Sequence, residues 1–193
     1  MQKEDYLLAI CGGLFVFSMI MLLVSPTGYA TQGTTSSNVT ITKYLSIDMS
    51  SNLSAGITFG SVTSLPAYDL NASSNYDGSN SAATYNVNVS TDSNTAVDFC
   101  IMANAPLTDA AAGTVIGLGN ETFLNSSFSN MTWPGPQSAQ VNLTTNWAKA
   151  SSPTGAGNAT FYRFWLDVPS ATSSGTYNNT ISIKGVETSQ PCS

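Results

Sequence analysis

The sequence predicts an all-β protein, an antiparallel sandwich of the Ig-like or jelly-roll-like kind that follows an N-terminal hydrophobic signal helix. Three observations support this prediction. Beyond residue 30, Thr, Ser, Asn, Gly and β-branched residues dominate, which favours strands and turns over helices. Several short segments alternate apolar and polar residues with a period of two. Clusters of Ser, Asn, Gly and Pro separate these segments, as is typical of two-sheet sandwiches.

Residues 1–30 have the order of a secretory signal peptide. A short charged start precedes an apolar run over residues 6–24, a turn at Ser25-Pro26 and a small-residue cleavage site that ends at Ala30. The apolar run is nearly long enough to cross a bilayer, so an uncleaved anchor is the alternative. Both interpretations place the rest of the chain at the cell surface or in the extracellular space. Membrane contact is then expected only through this segment, before it is cleaved.

The next region, residues 31–48, combines a polar linker with a candidate strand over residues 38–48. The apolar residues that share one face of this strand, interrupted by Lys43, are Val39, Ile41, Leu45 and Ile47. A strand on a flexible linker can pair within its own domain or act as a donor that completes the sheet of a neighbouring molecule. The residues leave both possibilities open.

Residues 49–193 form the predicted sandwich domain. Its candidate strands, identified by alternation, cover residues 56–62, 84–90, 96–102, 114–118, 139–144, 160–168 and 176–186. In the segment 160–168, one face carries Tyr162, Phe164, Leu166 and Val168, which predicts a core-facing side. Residues 106–112 are expected to form one helical turn.

Charged residues are scarce: 8% of the chain, against about 25% in ordinary soluble domains. The formal net charge is −6 and no basic patch occurs, so nucleic acid is not expected as a partner. Asn-x-Ser/Thr sites for N-glycosylation are about twice as frequent as chance would supply. The ten sites are Asn38, Asn52, Asn71, Asn88, Asn120, Asn125, Asn130, Asn142, Asn158 and Asn178. Covalent glycans would supply the hydration that charge supplies elsewhere.

Three cysteines occur, and Cys11 lies in the segment that cleavage would remove. Cys100 and Cys192 form an even pair in an exported chain, which predicts a disulfide between them, with two free thiols as the alternative.

The chain contains no histidine, which excludes Ser-His-Asp and Cys-His catalysis and histidine-based zinc sites. We therefore expect no enzymatic activity and no bound cofactor apart from one candidate Ca²⁺ loop. That loop places oxygen-bearing side chains at alternating positions, namely Asp69, Asn71, Asn75 and Asp77. The simpler alternative is a polar loop held by Asx turns.

Near the end of the chain, a strand and a Pro turn at residues 164–169 precede Gly-Thr-Tyr at 175–177 and alternating isoleucines at 181–183. This ending resembles the extracellular β-sandwich subunits of archaeal and bacterial surface filaments. The layout of signal segment, N-terminal strand and sandwich is similar to archaeal bundling pili and to the camelysin group of biofilm matrix fibres. The dense glycosylation sites also resemble those of archaeal surface glycoproteins. The protease activity ascribed to camelysin is not carried over, because histidine is missing here.

Two functional hypotheses follow. The first is a structural subunit of an extracellular filament or cell-surface layer, a pilus-like homopolymer assembled by β-strand addition through residues 38–48. The alternative is a monomeric or membrane-tethered adhesin or binding module that acts through its loops.

Overall fold

The computed structural model describes residues 10–19, 35–129 and 140–193. The chain divides into two units, Met1–Thr40 and Ile41–Ser193, which are described separately.

In the first unit, residues 10–19 form a helix, α1, inside the apolar run, which fits the helix predicted for a signal segment. Residues 35–40 have no regular secondary structure. Among the residues that the structure describes, no helix is both long enough and apolar enough to cross a bilayer. The predicted cleavage point, Ala30, lies outside the described residues.

The second unit consists almost entirely of antiparallel strands, which confirms the predicted all-β sandwich. The strands are β1 (Ile47–Met49), β2 (Ala67–Asn71), β3 (Tyr85–Val89), β4 (Val97–Ala103), β5 (Leu107–Asp109), β6 (Thr114–Ile116), β7 (Glu121–Ser126), β8 (Val141–Asn142), β9 (Ala148–Lys149), β10 (Ala159–Val168) and β11 (Ile181–Glu187). One short helix, α2 (Ser51–Ala55), and a 3-10 helix (Leu118–Asn120) accompany them. Ser50 caps α2 by accepting a hydrogen bond from the Leu53 N–H.

The larger sheet has the order β1-β3-β10-β7-β8, and the smaller sheet has the order β11-β4-β9. The strands β5 and β6 form a separate hairpin. The long strand β10 lies at the centre of the larger sheet. Its first half pairs with β3 and its second half with β2, while β7 occupies the other edge.

The core lies between the two sheets. Tyr85 of β3 and Tyr162 and Phe164 of β10 are fully buried from one side, and Phe99 and Ile101 of β4 from the other. The rings of Tyr85 and Phe164 meet edge to face at 5.6 Å. The alternation predicted for β10 and β4 is therefore confirmed as the pattern that fills the core.

The strand predicted over residues 56–62 is wrong. Ile57 and Phe59 do pack partly buried against the core, as their alternation indicated. However, apart from the bond from the Gly56 N–H to the Leu53 carbonyl at the end of α2, its one backbone hydrogen bond within the described residues is from the Ser73 N–H to the Thr58 carbonyl at 2.8 Å. Alternation reports which side of an extended segment is buried, whereas a strand also requires a neighbouring backbone.

The helical turn predicted at residues 106–112 is also wrong, because β5 occupies Leu107–Asp109 and pairs with β6. The carboxylate of Asp109 accepts a hydrogen bond from the Ala111 N–H and so forms an Asx turn rather than a helix cap. The strands β2, β7 and β9 were not predicted. In β7, Phe123 and Leu124 are adjacent and break the alternating pattern that would have marked it.

Candidate functional site

The N-terminal segment enters the sandwich domain along the edge of the larger sheet. The side chains of Leu45 and Ile47 are partly buried against the core. They pack over Gly185 of β11, where an added Cβ would lie 3.1 Å from Ile47 and 3.5 Å from Leu45. The missing side chain of Gly185 therefore makes room for two of the four predicted donor residues inside their own domain.

Side-chain hydrogen bonds hold the backbone of this segment in place. Asn94 accepts a bond from the Tyr44 N–H at 2.8 Å and donates one to the Thr42 carbonyl at 2.9 Å. The ammonium group of Lys43 pairs with the carboxylate of Glu187, at the end of β11. The chain is thus fixed from Thr42 onward, although regular strand begins only at Ile47.

The other two predicted donor residues lie ahead of this anchored part. Val39 is 84% exposed and Ile41 is 78% exposed. The predicted strand over residues 38–48 is therefore split into an exposed half with two β-branched residues and a half packed on its own core.

A large groove lies elsewhere on the sandwich domain, with a volume of about 1280 Å³. Residues 56–65 form one wall and residues 172–180 form the other. Ile181 and Ile183 of β11 also line it. Its floor is apolar and includes a buried cluster formed by Leu107, Ile116, Leu166 and Val168.

Two segments that line this groove, β11 and residues 56–65, have backbone without a further partner strand among the described residues, whereas Asn178 in the other wall forms a β-bridge with Thr108 of β5. β11 pairs with β4 along one edge only, and within the described ranges no strand pairs with its other edge. The wall at residues 56–65 belongs to no sheet, and it contains Gly60 at φ +72° and a bend at residues 64–65. Such backbone edges offer hydrogen-bonding groups to an incoming strand.

A carboxyl group lies at the bottom of the groove. Glu121 is only 2% exposed, and it accepts a hydrogen bond from the side-chain amide of Asn179 at 2.7 Å. Burial raises the pKa of Glu121 above its usual value, and the bond from Asn179 opposes part of that shift.

We expect Glu121→Gln to raise the melting temperature at pH 7 and to change it less at pH 4. Because the folded-state pKa of Glu121 lies above the unfolded value, stability falls as pH rises from the unfolded pKa to the folded one. Glutamine carries no charge at either pH, and its oxygen keeps the bond from Asn179. Thermal unfolding at both pH values measures the effect, with the exposed Asp92→Asn as control. An equal gain at both pH values would contradict this reasoning.

Of the four candidate Ca²⁺ ligands, Asn71 and Asn75 are in contact, since the Asn75 amide nitrogen donates to the Asn71 side-chain oxygen at 3.3 Å. Asn75 is fully buried, and its amide bonds to both backbone groups of Phe164: its nitrogen donates to the carbonyl at 2.7 Å and its oxygen accepts from the N–H at 2.8 Å. The side-chain oxygen of Asn75 therefore already accepts a hydrogen bond. Asn71 is exposed at the end of β2, and the N–H of Asp69 bonds to Asp167.

Asp77 instead organises an exposed turn. Its carboxylate accepts hydrogen bonds from the N–H and the hydroxyl of Ser79, and these bonds lower the pKa of Asp77 to about 2. This is the Asx-turn arrangement that was the alternative to a metal loop. Among the described residues, no group of three or more His, Cys, Asp or Glu side chains comes together.

None of the described glycosylation-site asparagines is buried. Asn120 and Asn125 are partly exposed and the others are exposed, while Asn130 lies outside the described residues. The register places Asn71 opposite Trp165, Trp165 opposite Thr122, and Thr122 opposite Asn142. Directly paired residues share a sheet face, so Asn71 and Asn142 lie on the same face of the larger sheet, which is the outward face.

The predicted disulfide between Cys100 and Cys192 is confirmed. It ties the C-terminal tail to β4. Asp98, on the same face of β4, accepts hydrogen bonds from the Lys149 ammonium group at 2.8 Å and from the Ser189 N–H at 3.1 Å. The tail therefore covers the outward face of the smaller sheet.

Comparison with known proteins finds no family model, no curated protein and no solved structure that matches the chain, so its function has to be argued from these features alone.

Proposed function

We propose that this chain is a structural subunit of an extracellular filament or cell-surface layer, glycosylated and assembled with copies of itself by β-strand addition. The observation that carries the proposal is the exposure of Val39 and Ile41 directly before the anchored segment that begins at Thr42. These β-branched residues alternate with Asn38 and Thr40, which is the pattern of a strand with one face ready for burial.

Strand addition would bury the side chains of Val39 and Ile41, which are exposed in a single chain. Fully burying a Val or Ile side chain contributes about 1.5 to 3 kcal/mol each, and each main-chain hydrogen bond adds to that. Because donor and acceptor surfaces are different parts of the molecule, contacts of this kind run head to tail and extend into an open polymer. A role based on self-association also agrees with a chain that has no histidine for the common catalytic arrangements.

N-linked glycans form the second part of the proposal. The charged fraction of 8% leaves the surface with few strongly hydrated groups. Seven of the nine described glycosylation-site asparagines are exposed, and Asn71, Asn88 and Asn142 lie on strands of the larger sheet. Glycans on these three residues would hydrate the outward face of that sheet, away from the groove, whereas the exposed site Asn178 lies in the groove wall.

The test compares two doubly substituted full-length chains in an exporting host. We expect Val39→Asp with Ile41→Asp to abolish polymer, since charge on the buried face of an added strand is costly. Ser36→Asp with Thr42→Asp adds the same charge on the opposite face, spares the Asn38 site and is expected to assemble normally. Negative-stain microscopy and light scattering of sheared surface material measure polymer formation. Intact mass before and after deglycosylation measures the sugar content.

Polymer formed equally by both variants would contradict strand addition. A wild-type protein that stays monomeric at all concentrations would instead favour the binding-module alternative.

A further inference from the structure

We propose that the groove between residues 56–65 and 172–180 is the acceptor site, and that its occupant is the segment 35–41 of a second copy of this chain. The inference rests on the proposed function and adds to it the surface that receives the strand. Four features of the molecule support it: unpaired backbone, matching length, matching side chains and the path of the chain.

Two segments that line the groove, β11 and residues 56–62, have backbone that lacks a partner strand there among the described residues. β11 is an edge strand, and Ile181 and Ile183 line the groove. Across from it, residues 56–62 have the alternation of a strand, with Ile57 and Phe59 turned to the core, but belong to no sheet. A strand inserted between them would find main-chain donors and acceptors, as in other cases of strand addition.

The length of the segment fits this site. Seven residues in extended conformation, 35–41, span about 23 Å at roughly 3.3 Å each. β11 also contains seven residues. The segment is therefore long enough to run along the whole free edge of β11, although it needs only the part beside the groove.

The side chains fit as well. In an extended segment, Val39 and Ile41 share a face with Thr35 and Ser37, so two apolar groups lie beside two hydroxyl groups. The groove floor offers the apolar cluster around Leu166 and, beside it, the Glu121 carboxyl. Hydroxyl groups can donate hydrogen bonds to a carboxyl group, and the segment 35–41 has no charged residue that would have to be desolvated.

The path of the chain favours a second copy over the chain's own segment. Lys43 pairs with Glu187 at one end of β11, whereas Ile181, which lines the groove, is at the other end. The side chain of Asn94 holds the backbone of Thr42 and Tyr44, which opposes the reversal that a return into the same groove would require. Because Lys43 lies at one end of β11 and the groove at the other, contacts of this kind extend a polymer without closing it.

Photo-crosslinking in the full-length chain tests the acceptor. A benzoylphenylalanine replaces Ser61 on one wall or Ser173 on the other, both exposed, and Ser152 outside the groove serves as the control position. Assembly of equal amounts of ¹⁴N- and ¹⁵N-labelled copies distinguishes bonds between copies from bonds within one. We expect both wall positions, and not Ser152, to capture the peptide that contains residues 35–42 of the other copy.

The outcomes separate the two proposals. Filaments with captured peptides from another region, or with residues 35–42 captured from the same copy, overturn the acceptor assignment and leave self-assembly standing. Absence of both filaments and captured peptides overturns the proposed function together with the acceptor.

Discussion

Replacing Cys192 with serine is expected to lower the free energy of unfolding by about 4 to 5 kcal/mol. The bond from Cys100 to Cys192 closes a loop with a sequence separation of 92, and in the chain-entropy model a loop of this length strongly restricts the unfolded chain. Cys192 is the better position because it is half-buried in the tail, whereas Cys100 is fully buried in β4. Serine at residue 192 therefore removes the bond with little loss of packing.

Urea unfolding of the exported protein measures this effect, and the reduced wild-type protein should unfold at the same midpoint as Cys192→Ser. The control is Ser193→Ala, which changes the neighbouring tail residue and keeps the bond. A loss below about 1 kcal/mol would show that the bond does not restrict the unfolded chain as the loop-entropy argument requires.

The second large effect is expected at Asn75, where alanine should cost about 1 to 3 kcal/mol, since the buried Phe164 N–H would lose its acceptor, while the Phe164 carbonyl keeps the bond from the Ala72 N–H at 3.1 Å. β10 pairs with β3 up to Tyr162 and with β2 from Trp165 onward. Phe164 lies in the gap between those partners, where the side-chain amide of Asn75 bonds to its N–H and its carbonyl. The side-chain amide of Asn75 thus makes the two hydrogen bonds that a peptide unit of a neighbouring strand would make with Phe164.

The same unfolding measurement applies to Asn75→Ala, with Asn146→Ala as the matched control at an exposed asparagine outside the glycosylation sites. Amide exchange of the Phe164 N–H adds a local readout, because that proton loses its acceptor in Asn75→Ala only. Equal stability of the two variants would mean that water replaces the amide at no cost.

The strands that could be predicted are those in which one face is apolar at every second residue and is buried in the core. In β4 and β10 every second residue is apolar on one face, and Phe99, Ile101, Tyr162 and Phe164 on those faces are buried in the core. β7 escaped prediction because it has only two apolar residues, Phe123 and Leu124, which are adjacent and lie on opposite faces of the strand. Two adjacent apolar residues do not reveal which of them faces the core.

The candidate site was predicted only in part. The alternation of Val39, Ile41, Leu45 and Ile47 indicated a donor strand, but nothing in that segment indicates that Leu45 and Ile47 pack over Gly185. The groove draws on parts of the chain that are distant in sequence, among them residues 56–65, Glu121 and residues 172–180. No local pattern predicts a surface that forms only when such segments meet.

The sequence by itself determined the all-β class and the cysteine pairing, because composition, alternation and an even cysteine count are properties of the chain alone. Only the tertiary structure decided which extended segments became strands. Residues 56–62 and 47–49 both have strand-like composition. Only residues 47–49 lie alongside a strand with which they pair, namely β3. Hydrogen-bonded pairing depends on a second backbone, and which backbone lies nearby is fixed by the packing of the whole domain.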